Sequence, residues 1–179
     1  MKSKFYEEIA KPFIVLVVIC IVTGALLGYT NSLTAPVIEA NAIAAAEATR
    51  KAMLPEATGF EEIPVDPAWE DVQGVSSIFK DEGGSGYVIT ASSKGYGGAV
   101  VVTIGFDNKG TILHMDVDAS TETQGVGSKT ANEANITKYI GLQGPVAEDK
   151  SLLITSATFS SKAVRTAVQN AMNALAHVK

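Results

Sequence analysis

The chain has 179 residues, 46% of them hydrophobic and 18% charged, with a formal net charge of -5 and a pI near 5.0. That is room for one domain and an appendage, with so small a charged share that part of the chain is expected in lipid. The lack of any long basic cluster excludes nucleic acid as a partner. One cysteine and two histidines exclude an intrachain disulfide and a multi-cysteine or histidine-rich metal site, so redox chemistry would need a bound organic cofactor.

No charged residue occurs from Pro12 to Ile38. The apolar stretch Phe13 to Tyr29 and a few flanking residues are enough to cross a ~30 Å hydrocarbon layer at ~1.5 Å per helical residue. Its β-branched residues are mediocre helix formers in water, but in lipid the backbone must satisfy itself. Lys2, Lys4 and Lys11 precede the run and the next basic residue is Arg50. The positive-inside bias therefore predicts a cytoplasmic segment over 1–11, a transmembrane helix over 12–31, and everything later on the outer side of the cell membrane. A signal peptide cleaved near Ser32-Leu33-Thr34-Ala35 is the rival reading; its apolar region is normally shorter than this one. Gly24 and Gly28 form a small-xxx-small pair open to another helix. Cys20 reads as a small apolar filler.

Asn31, Ser32 and Thr34 are candidate caps for a second helix with Pro36 in its first turn, a stalk over 32–54 that stops before Pro55. The outer domain is then 55–179. It begins with a loop rich in Pro, Glu and Asp to about Val72, in which Trp69 is a packing residue. Strand-like runs follow at Val75–Phe79 and Tyr87–Ala91, around a turn at Asp81–Gly86. Ala99–Phe106 and Thr111–Val117 read as a hairpin about Asp107-Asn108-Lys109-Gly110, where Asn108 and Gly110 suit positive φ. A polar helix is expected over Ser128–Tyr139. Another is expected over Ala163–Ala176, where Ala163, Val164, Ala167, Val168, Ala171, Met172 and Leu175 recur at helical spacing and turn one face to the sheet. The fold class is α+β: one N-terminal transmembrane helix, then a domain with a mainly antiparallel sheet and flanking helices.

Three segments carry candidate chemistry. Lys94-Gly95-Tyr96-Gly97-Gly98 precedes a strand; its glycines allow close backbone approach, and Tyr96 offers a face to an aromatic ring. Thr121-Glu122-Thr123-Gln124-Gly125-Val126-Gly127 has the composition of a polar ligand loop, without the Gly-Lys-Ser/Thr of a Walker sequence. Thr155-Ser156-Ala157-Thr158-Phe159-Ser160-Ser161 leads into the last helix, with Ser160 or Ser161 as its expected cap. A helix start welcomes phosphate, and Thr158 falls within about a turn of it. Each segment alone is also compatible with an ordinary turn, surface loop or cap.

Taken in order, the span ending Asn31-Ser-Leu-Thr-Ala-Pro-Val-Ile38, then Gly95-Tyr-Gly-Gly98, Glu122-Thr-x-Gly-x-Gly127 and Ser156-Ala-Thr158 with Ser160-Ser161 and Ala163-Val164, resemble the G-subunit family of the Rnf electron-transport complexes. That family is similar to the C subunit of the sodium-pumping NADH:quinone reductase, which is usually longer. The resemblance covers nearly the whole chain. It implies an electron-carrying flavoprotein subunit with FMN joined through its phosphate to the threonine of a Ser/Thr-Gly-Ala-Thr motif, here Thr158 of Thr155-Ser156-Ala157-Thr158. It also implies that a separate flavin transferase makes the bond, and that the partners are membrane lipid and the other membrane and peripheral subunits of a complex coupling ferredoxin and NAD to sodium or proton movement. Glu122, Thr123, Gly125 and Gly127, with Tyr96, Gly97 and Gly98, would line the flavin site. No catalytic residue, no resident metal and no independent turnover are expected. The sequence departs from the family pattern in three places. The motif glycine is Ser156, Leu152 stands about where an aspartate is common, and Glu-Thr-Pro-Gly-Leu-Gly reads Glu122-Thr-Gln-Gly-Val-Gly127. A serine at 156 is compatible with attachment if the backbone there does not need positive φ. The alternatives are a free-standing anchored flavoprotein reductase, a flavin-free assembly subunit and the quinone-reductase C subunit itself.

Overall fold

A computed structural model of the chain describes residues 10–179. Lys2 and Lys4 lie outside the described residues. The chain divides into an N-terminal unit ending at Glu47 and a globular unit from Ala48 to Lys179.

Lys11–Met53 forms a single helix, α1. Its most apolar stretch has a mean hydropathy of 2.5 and none of it is buried in protein, so it is long and apolar enough to cross a membrane. Apolar side chains all round an unburied helix match a lipid solvent rather than water. The expected second helix start at 31–36 is absent. Thr30, Ser32 and Thr34 do not cap; their hydroxyls donate back to the carbonyls of Leu26 at 2.8 Å, Tyr29 at 2.8 Å and Thr30 at 3.1 Å. Pro36 sits in the helix interior. Proline there removes one N–H at a cost of about 3 kcal/mol in water.

The globular unit is built on an antiparallel meander whose spatial order is its sequence order: β1 (Phe60–Ile63), β2 (Val75–Asp81), β3 (Gly86–Lys94), β4 (Ala99–Asp107) and β5 (Ile112–Asp118). Both expected strand pairs are present, Phe79 facing Val88 and Ile104 facing Met115. In the β4–β5 turn Gly110 takes φ 90, but Asn108 does not take positive φ. Instead the Asp107 carboxylate accepts from Lys109 N at 2.8 Å and Thr111 N at 2.7 Å, which closes the turn without it.

Strand β1 lies inside the expected loop. Its signal is weak because Glu61 and Glu62 are exposed at a sheet edge, where charge blunts further pairing. A buried aspartate secures the chain leading into it. Asp81 accepts from Thr58 N at 2.9 Å, Ser85 N at 2.8 Å and Ser85 Oγ at 2.7 Å. Burial pushes its carboxyl up, but these bonds outweigh that and hold it far below the ordinary carboxylate range.

The C-terminal helix, longer at both ends than the pattern suggests, is the last element of the unit and runs Thr158–Val178. It lies across β3 and β4. Ala163, Ala167, Ala171 and Ala174 are its buried small residues, beside Val164, Val168 and Leu175, and they let the helix settle onto Ile89, Val102, Ile104 and Phe106. Trp69 packs against this core and stacks on His177 with ring centroids 4.7 Å apart. The other sheet face is covered by Met53 and Leu54 around Val88. A side chain at Gly105 would collide with the Met53 carbonyl, so glycine is required for this cover. The helix expected over Ser128–Tyr139 is instead a 3-10 turn, Gly127–Ala131, and a short helix α2, Glu133–Ile136. Asn132 between them is extended at φ -72, ψ 139, so no helix runs through. The C-terminal helix is α3.

Candidate functional site

All three motif segments meet in one cleft. The β3–β4 turn contributes Tyr96. The loop after β5 contributes Glu122, Thr123, Val126 and Gly127. The turn into α3 contributes Ser156, Ala157, Thr158, Phe159 and Ser160, and the cleft holds about 300 Å³. That is the lower end of the ~300–1,000 Å³ range of small-molecule sites. Segments far apart in sequence converge because β3, β4, β5 and α3 all present the same end of the sheet.

Glu122 organises the cleft. It is only 4% exposed. Oε1 accepts from Gly97 N at 2.9 Å and Gly98 N at 3.3 Å, while Oε2 accepts from the buried Ser160 hydroxyl. One carboxylate thus joins the glycine turn, its own loop and the first turn of α3. Burial raises its pKa, but the Ser160 hydroxyl and the backbone N–H groups of Gly97, Gly98 and Tyr96 prevail, holding it ionised below the ordinary value. With its oxygens engaged, Glu122 positions the walls of the cleft.

The glycines answer to Glu122 and Thr121. A methyl group at Gly127 would meet Glu122 Oε2 and Ser160 Oγ; one at Gly97 would meet the Thr121 carbonyl. The close approach their sequence suggested is therefore approach by protein. Gly98 sits against the Thr121 side chain, and Gly125 takes φ 75 at the loop tip; neither lines the cleft.

The start of α3 differs from expectation in one useful way. Ser160 and Ser161 lie inside the helix and do not cap it. Ser161 Oγ donates to the Ala157 carbonyl at 2.8 Å and accepts from Ile154 N at 3.1 Å. The cap position is Ala157, with no side-chain bond to the helix. Thr158, the first helical residue, is exposed, and its hydroxyl makes one long bond to the Thr155 carbonyl at 3.3 Å. An uncapped helix start beside an exposed hydroxyl offers unpaired N–H groups and the positive end of the dipole to an anion.

The departure at Ser156 is harmless to the backbone, since no described non-glycine residue has positive φ. Leu152 is buried in the core, so a polar side chain there would face apolar neighbours. The exposed carboxylate nearest in sequence before the motif is Asp149, which accepts from Ser151 N at 2.9 Å and Ser151 Oγ at 2.7 Å. Val126 and Phe159 are cleft residues that the motifs did not single out. Their signal was apolar character in otherwise polar loops.

The model of the FMN-binding domain family matches residues 95–173, spanning all three segments, and that of the RnfG N-terminal region matches residues 1–52. The chain is thus similar to RnfG over its N-terminal residues and to FMN-binding domains across the cleft. It is 29% identical over 180 residues to the G subunit of an ion-translocating oxidoreductase complex of Methanosarcina acetivorans, covering 93% of this chain and 94% of the relative. It is 28% identical over 189 residues to the G subunit of a Na(+)-translocating ferredoxin:NAD(+) oxidoreductase complex of Acetobacterium woodii, covering 91% and 89%. With the G subunit of a proton-translocating ferredoxin:NAD(+) oxidoreductase complex of Clostridium ljungdahlii it shares 24% over 165 residues, covering 88% and 86%. The FMN-binding domain model covers every residue that lines the cleft, so FMN is the group against which the cleft is tested. The residues present fit that group: a flat apolar rim at Tyr96, Val126 and Phe159 for the ring, and the uncapped start of α3 for the phosphate.

Proposed function

We propose that this chain is the flavin-carrying subunit of a membrane complex that couples ferredoxin:NAD oxidoreduction to sodium or proton translocation, with FMN esterified through its phosphate to Thr158. The observation that carries the reading is the convergence of the three motif segments on one cleft, with the exposed Thr158 hydroxyl at an uncapped helix start. The relatives from Acetobacterium woodii and Clostridium ljungdahlii are named for that coupling, which supports it.

In this reading residues 1–11 are cytoplasmic, 12–31 cross the membrane, 32–54 continue outward, and 55–179 hold the flavin on the outer side. The bound FMN supplies one- and two-electron transfer. Thr158 provides the anchoring oxygen, and the first N–H groups of α3 orient the phosphate ester. Thr155, Ser156 and Ala157 shape the approach to it. Glu122 keeps the Tyr96–Gly98 turn and the Thr123–Gly127 loop at a fixed spacing. A flavin transferase installs the group, and the other subunits of the complex pass electrons to and from it.

The test is intact mass together with in-gel flavin fluorescence after denaturation, on chain from native membranes or co-expressed with a flavin transferase. A gain of one FMN less one water, lost in Thr158→Ala, is expected. An unmodified mass with no fluorescence defeats the ester. Co-purification of the remaining subunits, with ferredoxin-dependent NAD reduction by the membranes lost in Thr158→Ala, checks the coupling.

A further inference from the structure

Apart from α1, the large apolar side chains that the described residues leave most exposed are Tyr96 at 75%, Phe159 at 70%, Val126 at 41% and Ile140 at 39%. Three of these four line the cleft. Scattered exposed apolar residues need no explanation, but a concentration on one concave site marks a ligand surface. The two aromatic rings form a tilted pair, 6.4 Å between centroids and inclined at 52°, a separation at which aromatic rings touch. A flat ring held between two others needs about 7 Å, two contact distances of roughly 3.5 Å each. To admit a planar ring system the pair must therefore part and turn toward parallel. Neither side chain is locked in a core, so turning Phe159 toward parallel and opening the gap slightly disturbs no buried packing.

We infer that Tyr96 and Phe159 form a two-sided clamp that holds the flavin's tricyclic ring between them, so that ring position is set by this aromatic pair and not by the attachment point alone. The inference rests on the reading of the cleft as the flavin site. Phe159 follows Thr158 directly, so a group tied at Thr158 stays within reach of the clamp. Glu122 sets the gap from the other side. It binds the N–H groups of Gly97 and Gly98, next to Tyr96, and the hydroxyl of Ser160, next to Phe159. Phe159 and Tyr96 are thus positioning residues with a specificity consequence: the slot accepts a flat aromatic system and offers nothing to a saturated ring. Stacking on an electron-rich phenol also quenches flavin emission, which supplies a readout independent of turnover.

The experiment compares the full chain in detergent with Tyr96→Leu, Phe159→Leu and the double variant, each co-expressed with a flavin transferase. Intact mass reports attachment. Flavin fluorescence and anisotropy in the folded protein, relative to the same sample denatured, report the clamp. All variants are expected to keep the urea midpoint of the parent, because both side chains are exposed, and emission and anisotropy are compared per flavin attached, as the mass spectrum reports it. The parent is expected to be strongly quenched and of high anisotropy. Tyr96→Leu should recover emission several-fold, Phe159→Leu should lower anisotropy, and the double variant should approach the denatured sample. A full mass gain with emission and anisotropy equal to the parent in all three variants overturns the clamp while leaving the Thr158 ester standing. If the parent shows no mass gain, the ester fails and free FMN is titrated into the same proteins. Quenching by the parent, weakened in the variants, then sustains the clamp; no quenching, or identical quenching in all four proteins, overturns it.

Discussion

Replacing Glu122 by alanine removes the acceptor for three donors at once: Gly97 N, Gly98 N and Ser160 Oγ. Gly97 is exposed and Gly98 half-buried, so both N–H groups regain water, and their loss is the modest net value of a bond to a charged acceptor. Ser160 is 3% exposed, and a buried hydroxyl left unpaired costs about 1–3 kcal/mol. Adding the void left by the shortened side chain, the expected loss is about 2–4 kcal/mol. Glu122→Gln keeps a carbonyl for the two glycine N–H groups and an NH₂ for the Ser160 oxygen, so its loss should be about 1 kcal/mol, the difference between charged and neutral bonds. The assay is urea unfolding of the full chain in detergent, followed by the fluorescence of Trp69, the chain's one tryptophan. An alanine variant within about 0.5 kcal/mol of the parent, the usual range of a surface change, would refute the claim that Glu122 holds the cleft together. So would a glutamine variant as damaged as the alanine one.

The same assay at varied pH tests the ionisation. Both Glu122 and Asp81 have folded pKa values below their ordinary 4.5 and 3.8, so each stabilises the fold on the neutral side of those values. That stability is lost as pH falls through the folded values; the urea midpoint should be flat from pH 7 to about 5 and drop below about 4, and the drop should shrink in Glu122→Gln. Asp81→Ala strands the donors of Thr58 and Ser85; it should cost about 2–4 kcal/mol, read from the urea midpoint, and free residues 55–63 to hydrogen exchange. Gly127→Ala places a methyl group against Glu122 and Ser160; it should lower both stability and flavin incorporation, whereas Gly125→Ala, with open space around it, should carry only the strain of φ 75. Phe106→Ala opens the fully buried core under α3 and should cost about 3–5 kcal/mol in the same unfolding assay.

The elements legible in the sequence are those whose signals are local. A long uncharged apolar run specifies a helix long and apolar enough to cross a membrane, since in lipid the backbone has no other partner. Alternating strands, a Gly110 turn and alanines at helical spacing specify the hairpins and α3, since each periodicity needs only near neighbours. The three motif segments are legible as well, though by composition alone each could be a turn. Local signals also mislead. Asn31, Ser32 and Thr34 with Pro36 have the composition of a helix start, yet the helix runs through them; hydroxyls that can cap can equally bond back to the preceding turn. Ser160 and Ser161 have the character of caps, and tertiary contacts draw them elsewhere, Ser160 to Glu122 and Ser161 to Ile154 and Ala157.

What only the tertiary structure decided is which residues the motifs serve. Glu122 reaches its partners across 25 residues to Gly97 and 38 to Ser160. No periodicity carries information over such separations, so its role as the joint of three segments could not be read from its neighbours. Strand β1 likewise depends on Asp81, more than twenty residues ahead of Thr58. Tyr96 is legible as a face for an aromatic ring, but that Phe159 stands exposed beside it on the same cleft is set by the fold. The sequence by itself determined the long apolar helix, the strand and helix periods and the chemistry of the motif side chains. The sheet and α3 decided which of those side chains meet, because burial and hydrogen-bond satisfaction are properties of the packed whole.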